Sequence, residues 1–190
     1  MQNLINAINH YVSLSDEDID RIRQLFVKKE LKVNDCFLQA GEVCKEFAFI
    51  DNGLLRHCIF NDREEEIYYF SAEGDFICDY ESFINKTISK KSLIAIEDTT
   101  IYSISYNNLQ VFYSKVTSGE RFGRLFLEAI YSKMINHIIS THTDSAEQRY
   151  LNFMSAFRHI QQRIPQYYIA SFVAVTPQSL SRIRRQLAKK

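Results

Sequence analysis

The chain has 190 residues, of which 46% are hydrophobic, and its 23 basic and 23 acidic residues give a formal net charge of +0. This length allows one large domain or two small ones. The sequence contains no run of about 18 apolar residues that could cross a membrane, and residues 1–7 lack the basic start and long apolar stretch of a secretion signal. We therefore expect a cytoplasmic protein with no membrane partner.

The first predicted element is a helix over residues 15–27, because Ser15 and Asp18 resemble a capping box and Ile19, Ile22 and Leu25 share an apolar face. After residue 30 the pattern changes to short β-like runs at residues 36–38, 47–50, 54–60, 67–70, 92–96 and 100–104. Turn signals separate the runs at residues 40–42, 51–53, 61–63 and 97–98. Many short strands predict a small antiparallel barrel or roll, and a short helix over residues 106–114 follows.

The residue pattern does not point to an enzyme. The four cysteines, Cys36, Cys44, Cys58 and Cys78, have neither C-x-x-C spacing nor a neighbouring histidine array, so we expect buried free thiols and no metal or iron–sulfur site. The five histidines are scattered, and no nucleophile elbow, P-loop or glycine-rich nucleotide loop occurs. We therefore predict no catalytic residues.

A long helix is predicted over residues 118–141, and its apolar residues cover too much of its circumference for one stripe. One face can pack on the roll, and the other needs a second partner. Burial inside a monomer would satisfy it, but we favour the same helix of a second subunit, because reading palindromic DNA also requires two-fold symmetry. A hinge at residues 142–146 follows, and Ser145 could cap a helix that runs to about residue 163. Its predicted apolar face comprises Tyr150, Leu151, Met154, Phe157 and Ile160.

Residues 164–185 have the pattern of a helix-turn-helix. Thr176 stands at an N-cap position, Pro177 at the first helical position, and Ala174 in the turn, where glycine is usual. The apolar positions that two crossing helices would bury are Ile169, Ala170, Val173, Val175, Leu180 and Ile183. The second helix keeps Gln178, Ser179, Ser181, Arg182 and Arg185 free to meet a ligand, which is typical of a helix that reads DNA.

Charge is distributed unevenly along the chain. Residues 144–190 carry a formal charge of +6, and residues 1–143 carry −6. A basic module attached to an acidic one favours phosphate binding by the C-terminal part, whereas a solvated basic tail is the plainer alternative.

The order of elements resembles the Crp/Fnr family of bacterial transcription regulators. The most specific matches are residues 147–151, 164–171 and 176–184, and in the N-terminal part residues 73–76 and 95–99 resemble the sensor roll. The resemblance implies an α+β fold with an N-terminal double-stranded β-roll of the cyclic-nucleotide-binding type (a jelly roll). It also implies a long dimerisation helix and a winged-helix-like C-terminal helix-turn-helix, whose wing we expect to be truncated. The expected domains are a sensor roll at 1–117, a dimerisation helix and hinge at 118–143, and a DNA-binding domain at 144–190.

The resemblance places a candidate effector site in the roll. In cyclic-nucleotide binders a Gly-Glu pair meets the ribose, and a later Arg followed by Ser or Thr holds the phosphate. Here the pair reads Gly74-Asp75, and residues 88–92 contain no arginine. Lysine supplies charge without bidentate geometry, so we expect no cyclic-AMP cofactor and an unidentified effector at most. The candidate effector residues are Gly74, Asp75, Ser82, Ser89, Lys90, Lys91 and Ser92, although residues like the last five are more often ordinary surface loop and strand positions.

The sequence thus predicts a homodimeric, sequence-specific regulator that binds double-stranded DNA, with RNA polymerase as a candidate further partner. Gln178 and Arg182 would read base edges, whereas Ser179 is better placed for a phosphate. The remaining expected DNA contacts are Thr176 at the start of the helix and Arg184 and Arg185 on the DNA backbone. The alternative is a ligand-binding or protein-interaction module with a cyclic-nucleotide-binding-like fold and no DNA binding.

Overall fold

The structure, a computed structural model, describes residues 1–61 and 64–189. Asp62 and Arg63, which belong to the predicted turn at residues 61–63, and the terminal Lys190 lie outside the described residues. The helices are α1 (Gln2–Asn9), α2 (Asp16–Leu25), α3 (Tyr80–Asn85), α4 (Tyr106–Lys115), α5 (Gly119–Thr143), α6 (Ala146–Ala156), α7 (Gln166–Phe172) and α8 (Pro177–Leu187). The strands are β1 (Val27–Leu31), β2 (Cys36–Leu38), β3 (Glu46–Asn52), β4 (Leu54–Asn61), β5 (Glu64–Ala72), β6 (Phe76–Ile77), β7 (Lys91–Ala95) and β8 (Thr99–Ser105).

The strands form two antiparallel four-stranded sheets, ordered β1-β8-β3-β6 and β2-β7-β4-β5. Strands β3 and β4 belong to different sheets and meet at Gly53, whose φ is +116°. A Cβ at this position would lie 2.6 Å from the Thr99 Cα, so only glycine fits here without displacing β8. The predicted β-roll, long helix and C-terminal helices are confirmed.

The helix predicted from residue 15 is confirmed with its capping box, because Ser15 Oγ accepts from Asp18 N at 3.1 Å and Asp18 Oδ2 accepts from Ser15 N at 3.1 Å. The helix ends at Leu25, two residues earlier than predicted, since β1 begins at Val27. Strand β1 was not predicted because it lies at a sheet edge and is almost wholly exposed, so its residues lack the alternation that marks a half-buried strand. Elements α1, β6 and α3 were also missed.

Two apolar cores organise the molecule. The first core lies between the sheets and includes Ala48, Leu55 and Leu93 from strands, together with side chains of α1, α2, α4 and the start of α5. The second core joins the outer face of the β4–β5 pair to helices α6, α7 and α8. Fully buried Phe70 of β5 lies at its centre. Its ring centroid lies 5.6–6.2 Å from those of Phe153, Phe157 and Phe172.

Polar contacts also join the roll to the C-terminal helices. The Arg163 guanidinium donates to Glu73 Oε2 at 3.0 Å and to Glu97 Oε2 at 3.2 Å. The guanidinium of Arg56 lies 4.6 Å from the centroid of the Tyr168 ring. The C-terminal helices are therefore docked on the roll through one shared apolar cluster with ionic and cation–π contacts around it.

The long helix α5 is partnered along only part of its surface. Near its start Phe122 is buried, and Leu125 and Phe126 pack against the first core. Farther along, an exposed apolar stripe contains Tyr131, Met134, Ile135, Ile138 and Ile139. None of the helices in the described part of the chain is long and apolar enough to cross a membrane.

Candidate DNA-binding interface

Helix α7 ends in a tight turn that sets the direction of α8. Ala174 has φ +53°, the left-handed conformation for which this position usually carries glycine. The N–H of Val175 donates to the Ala170 carbonyl at 3.0 Å, and the N–H of Ala174 donates to the Ser171 carbonyl at 2.9 Å. These are the two hydrogen bonds of a Schellman motif, so the predicted turn is built with alanine in place of glycine.

The start of α8 is capped as the sequence predicts. Thr176 has an extended backbone, and its Oγ1 accepts from Ser179 N at 3.2 Å. Pro177 occupies the first turn, where its missing N–H leaves no helical hydrogen bond unmade. The hydroxyl oxygens of Thr176 and Ser179 lie 3.1 Å apart, so both predicted contact residues sit together at the positive end of the helix dipole.

Helix α8 has two chemically opposite faces. Leu180 and Ile183 are buried in the second core. Gln178, Arg182 and Arg185 are exposed, and within residues 1–61 and 64–189 they make no hydrogen bond or ion pair. The sequence pattern therefore assigned the faces correctly, and the polar face points away from the roll on which the module is docked.

Arg184 is also exposed but has an internal partner, since its guanidinium donates to the Gln166 side-chain oxygen at the start of α7. It therefore links the two helices, whereas Arg182 and Arg185 are available to an outside partner.

A half-buried anchor that sequence reasoning missed is Arg149 of α6. Its Nε donates to the Val173 carbonyl at 2.9 Å, and its Nη1 donates to the Asp144 carbonyl at 2.8 Å. One side chain thus ties the hinge after α5 to the turn before α8. An arginine at the start of a predicted helix, on the side of its apolar face, was the available signal.

The hinge itself is short and well bonded. Ser145 Oγ accepts from Gln148 N at 3.2 Å, which confirms the predicted cap of α6. Asp144 Oδ2 accepts from Ser140 Oγ at 2.6 Å and from Asn152 Nδ2 at 2.8 Å. Helix α6 ends at Ala156, earlier than the predicted residue 163, and the chain continues in turns. The predicted apolar face was wrong at Leu151, which is exposed, and Phe153 is buried in its place.

The roll contains a separate polar group, which we call the Asp79 cluster: Asp79, Ser89 and Lys91. The carboxylate of Asp79 is buried and accepts from Ser89 Oγ at 2.7 Å and from Lys91 Nζ at 2.6 Å. Sequence reasoning named Ser89 and Lys91 but missed Asp79, although an acidic residue between the apolar residues 76–78 and Tyr80 was a signal for a paired carboxylate.

A buried histidine lies on the face of β4 that also carries Leu55 of the first core. His57 Nε2 lies 2.9 Å from the Ser71 hydroxyl on β5. Burial, with a smaller effect of the Lys91 charge, lowers the pKa of His57 to about 4, so the ring is neutral at pH 7.

The other candidate effector residues do not all join the Asp79 cluster. Gly74 and Asp75 form the turn before β6, where Asp75 Oδ2 accepts from Ala72 N at 3.0 Å and burial raises the pKa of this carboxyl. Ser82 Oγ accepts from Cys44 N, Ser92 Oγ accepts from Ala40 N, and Lys90 is exposed. Each serine thus has a structural hydrogen bond within the roll.

The cysteines are free, but the expectation that all are buried was wrong. Cys44 and Cys58 are buried, Cys78 is half-buried, and Cys36 is exposed because β2 lies at the edge of its sheet. No group of three or more His, Cys, Asp or Glu side chains among the described residues is arranged to hold a metal ion.

Comparison with known proteins adds to this geometry. The family model of the cyclic nucleotide-binding domain matches residues 28–115. A comparison with curated proteins finds no significant match.

Solved structures share the whole architecture. FixK2 from Bradyrhizobium japonicum is 15% identical, with 86% of this chain and 85% of that chain covered, at a TM-score of 0.71. A Crp/Fnr-family protein from Eubacterium rectale is 15% identical, with 96% and 88% covered, at a TM-score of 0.73. The catabolite activator protein of Thermus thermophilus is 12% identical, with 96% and 87% covered, at a TM-score of 0.60.

The fold thus defines a class in which a β-roll, a long helix and a helix-turn-helix follow one another. The fold implied by the resemblance to the Crp/Fnr family is confirmed, and residues 28–115 match the cyclic nucleotide-binding domain family.

Proposed function

We propose that this chain is a homodimeric DNA-binding transcription regulator of the Crp/Fnr type, with α8 as the helix that enters the major groove. The observation that carries the proposal is the division of α8 into a buried apolar face and an exposed face with Gln178, Arg182 and Arg185. A cationic, hydrogen-bonding face on a capped second helix suits base edges and phosphates. The proposed units are residues 1–117, 118–143 and 144–190.

The side chains of α8 divide by chemistry. Gln178 pairs best with adenine and Arg182 with the O6 and N7 atoms of guanine, so these two would read sequence. Thr176 and Ser179 stand where backbone N–H groups and the helix dipole favour a phosphate. Arg185 would contact the DNA backbone, and Arg184, which is held by Gln166, would orient α7 as well as adding positive charge.

The exposed stripe of α5 supports the proposed dimer. Tyr131 is 67% exposed, Met134 57% and Ile138 49%. They are spaced three and four residues apart, which places them on one side of the helix, as in a two-stranded helical seam. A second copy of α5 would remove this apolar surface from water, and its two-fold axis would present two α8 helices about 34 Å apart along a duplex.

The roll is proposed not to use cyclic AMP. Asp79 is only 4% exposed and already binds the Lys91 ammonium and the Ser89 hydroxyl. A cyclic phosphate brought to these residues would compete with a buried carboxylate for the same cation and suffer repulsion from it. Asp75, the acid of the Gly-Asp pair, is engaged by Ala72 N in its own turn. These residues do not fit the nucleotide.

Duplex binding tests the main proposal. Duplexes selected from a random pool should bind the full chain, and log affinity should fall steeply with log salt. Arg182→Ala should weaken the binding free energy for the selected duplex by about 1–3 kcal/mol, and it should relax the protein's preference at one base pair. Arg158→Ala is the matched control, because it removes the same charge from an exposed site on the turn after α6.

Two results would contradict the proposal. Absence of any salt-dependent duplex binding would favour a ligand-binding or protein-interaction module. Equal losses in the two arginine variants would mean that α8 contributes only general charge and does not read sequence.

Sedimentation tests the dimer. Ile138→Glu places a charge on the exposed stripe of α5 and should shift the chain from dimer to monomer at micromolar concentration. Asn136→Glu is the matched control, since Asn136 is exposed on the same helix but lies off the stripe. A monomeric wild-type chain, or a dimer that survives Ile138→Glu, would contradict this part of the proposal.

A further inference from the structure

Two cysteines distant in sequence meet at the edge of the roll. Cys44 lies just before β3, and Cys78 lies between β6 and α3. Their Sγ atoms are 3.7 Å apart, and the Cys44 Sγ is also 3.3 Å from the Glu46 carbonyl oxygen. A disulfide has an S–S length of about 2.0 Å, so the sulfurs need to approach by roughly 1.7 Å.

Both cysteines are held close to α3. Cys44 N donates to Ser82 Oγ at 2.9 Å, and Ser82 Oγ donates to the Thr87 carbonyl at 2.6 Å. Ser82 of α3 thus links the chain before β3 to the loop after α3. Cys78 directly precedes Asp79, the N-cap residue of α3. The fold therefore holds the two sulfur atoms close together in the reduced protein.

A small oxidant has a route to this pair. Cys44 lines a surface cleft of about 400 Å³, together with residues 37–38, 42–43 and 45–46. The cleft is large enough for a peroxide, and its charged lining residues are Lys45 and the two acids Glu42 and Glu46. Cys44 lies in the wall of this opening with only 3% of its surface exposed, and half-buried Cys78 lies beside it.

We propose that Cys44 and Cys78 form a peroxide-oxidisable dithiol site in the sensor roll, with Cys44 as the attacking sulfur. The Cys44 thiolate attacks one peroxide oxygen, the O–O bond breaks, and a sulfenic acid and a hydroxide form. The hydroxide takes up the proton that Cys44 released on ionising and becomes the first water. The Cys78 sulfur then attacks the Cys44 sulfur, the S–O bond breaks, and the leaving hydroxide takes the Cys78 proton as a second water. Two thiols and one hydrogen peroxide thus yield one disulfide and two waters.

The chemistry of the two sulfurs agrees with these roles. A hydrogen bond from Cys78 lowers the pKa of Cys44 to about 7, whereas burial raises the pKa of Cys78. Partial burial raises the pKa of exposed Cys36, and burial raises that of Cys58 to about 12. The site is distinct from α8, so it stands whether or not the chain binds DNA.

The test is peroxide treatment of the reduced full chain at pH 7, followed by alkylation, digestion and mass spectrometry. The expected product is a Cys44–Cys78 linked peptide, with free thiols falling from four to two and returning on reduction. Cys44 should react about tenfold faster than Cys36, because its larger thiolate fraction outweighs the lower nucleophilicity of a less basic sulfur. Cys36→Ser should form the same link at the same rate.

Cys78→Ser is the second variant, and it should stop at a Cys44 sulfenic acid that a dimedone probe traps. Reaction of Cys36 before Cys44, a link that includes Cys36 or Cys58, or an unlinked Cys44 sulfinic acid in the wild-type chain would each overturn the proposal. The wild-type and Cys36→Ser peptide maps decide it even where Cys78→Ser fails to fold.

Discussion

The Asp79 cluster and the exposed face of α8 contain similar cationic and polar side chains, but those of the Asp79 cluster have internal partners and those of α8 are open to solvent. In the roll, Lys91 and Ser89 are bound by one buried carboxylate at 2.6–2.7 Å. On α8, Arg182 and Arg185 have no hydrogen-bonding or ionic partner within the described ranges 1–61 and 64–189. Polar groups that are satisfied inside a protein stabilise or specify its fold, whereas an unpaired cationic face is available to a ligand.

The comparison also separates what the family resemblance implies for each region. The α8 face retains the chemistry that a DNA-reading helix needs, whereas the roll lacks the arginine of the resembled nucleotide site and buries an acid near the remaining candidates. The proposed DNA binding thus rests on side chains of α8 that lack a partner within the described residues, whereas Ser89 and Lys91 of the roll are held by Asp79.

The largest expected effect tests whether the two faces of α8 have separate roles. Leu180→Ala removes a side chain that is 2% exposed and should lower the free energy of unfolding by about 2–5 kcal/mol. Gln178→Ala, two residues away on the exposed face, should change it by less than about 0.5 kcal/mol. Urea unfolding of both variants checks this. Comparable losses would mean that Gln178 is part of the fold.

The next prediction tests whether burial inside the roll keeps His57 unprotonated. In the unfolded chain His57 has its ordinary pKa of 6.5, whereas in the folded chain burial lowers the pKa of His57 to about 4. The free energy of unfolding should therefore fall as pH drops from 6.5 to 4, by up to about 3 kcal/mol from this residue.

The matched variants for this pH dependence are His57→Gln and His10→Gln. His57→Gln should flatten the pH dependence between pH 4 and 6.5, and His10→Gln at an exposed site should leave it unchanged. Urea titrations at several pH values give the slopes. If the free energy of unfolding changed with pH equally in His57→Gln and in the wild-type chain, His57 would have the same pKa in the folded and unfolded states.

The smallest effect concerns the turn that aims α8. Ala174 has φ +53°, a conformation that glycine adopts without a Cβ penalty. Ala174→Gly should therefore raise the free energy of unfolding by about 0.5–1 kcal/mol, measured by thermal or urea unfolding. Val175→Gly, one residue later, is the control and should lower it. A destabilised Ala174→Gly chain would mean that the alanine methyl contributes packing that outweighs the backbone strain.

Much of the C-terminal module could be predicted because its signals are local. The Thr176 cap, the proline after it and the spacing of Leu180 and Ile183 all lie within eight residues, and the structure follows each of them. The capping box at Ser15 and Asp18 was equally readable. Exposed edge strand β1 and two-residue strand β6 were not, because neither has enough buried positions to show a period.

The sequence by itself determined the longer helices and the half-buried strands, which face of α8 is apolar and where the positive charge is concentrated. Only the tertiary structure decided that Asp79 meets Lys91, that Cys44 meets Cys78 and that Arg149 ties the hinge to the turn. Caps and periodicities arise from bonds within a few residues, and chain order specifies them directly. Contacts between residues 12 to 34 apart depend on how sheets and helices pack, and that is set by the burial of the whole apolar surface at once.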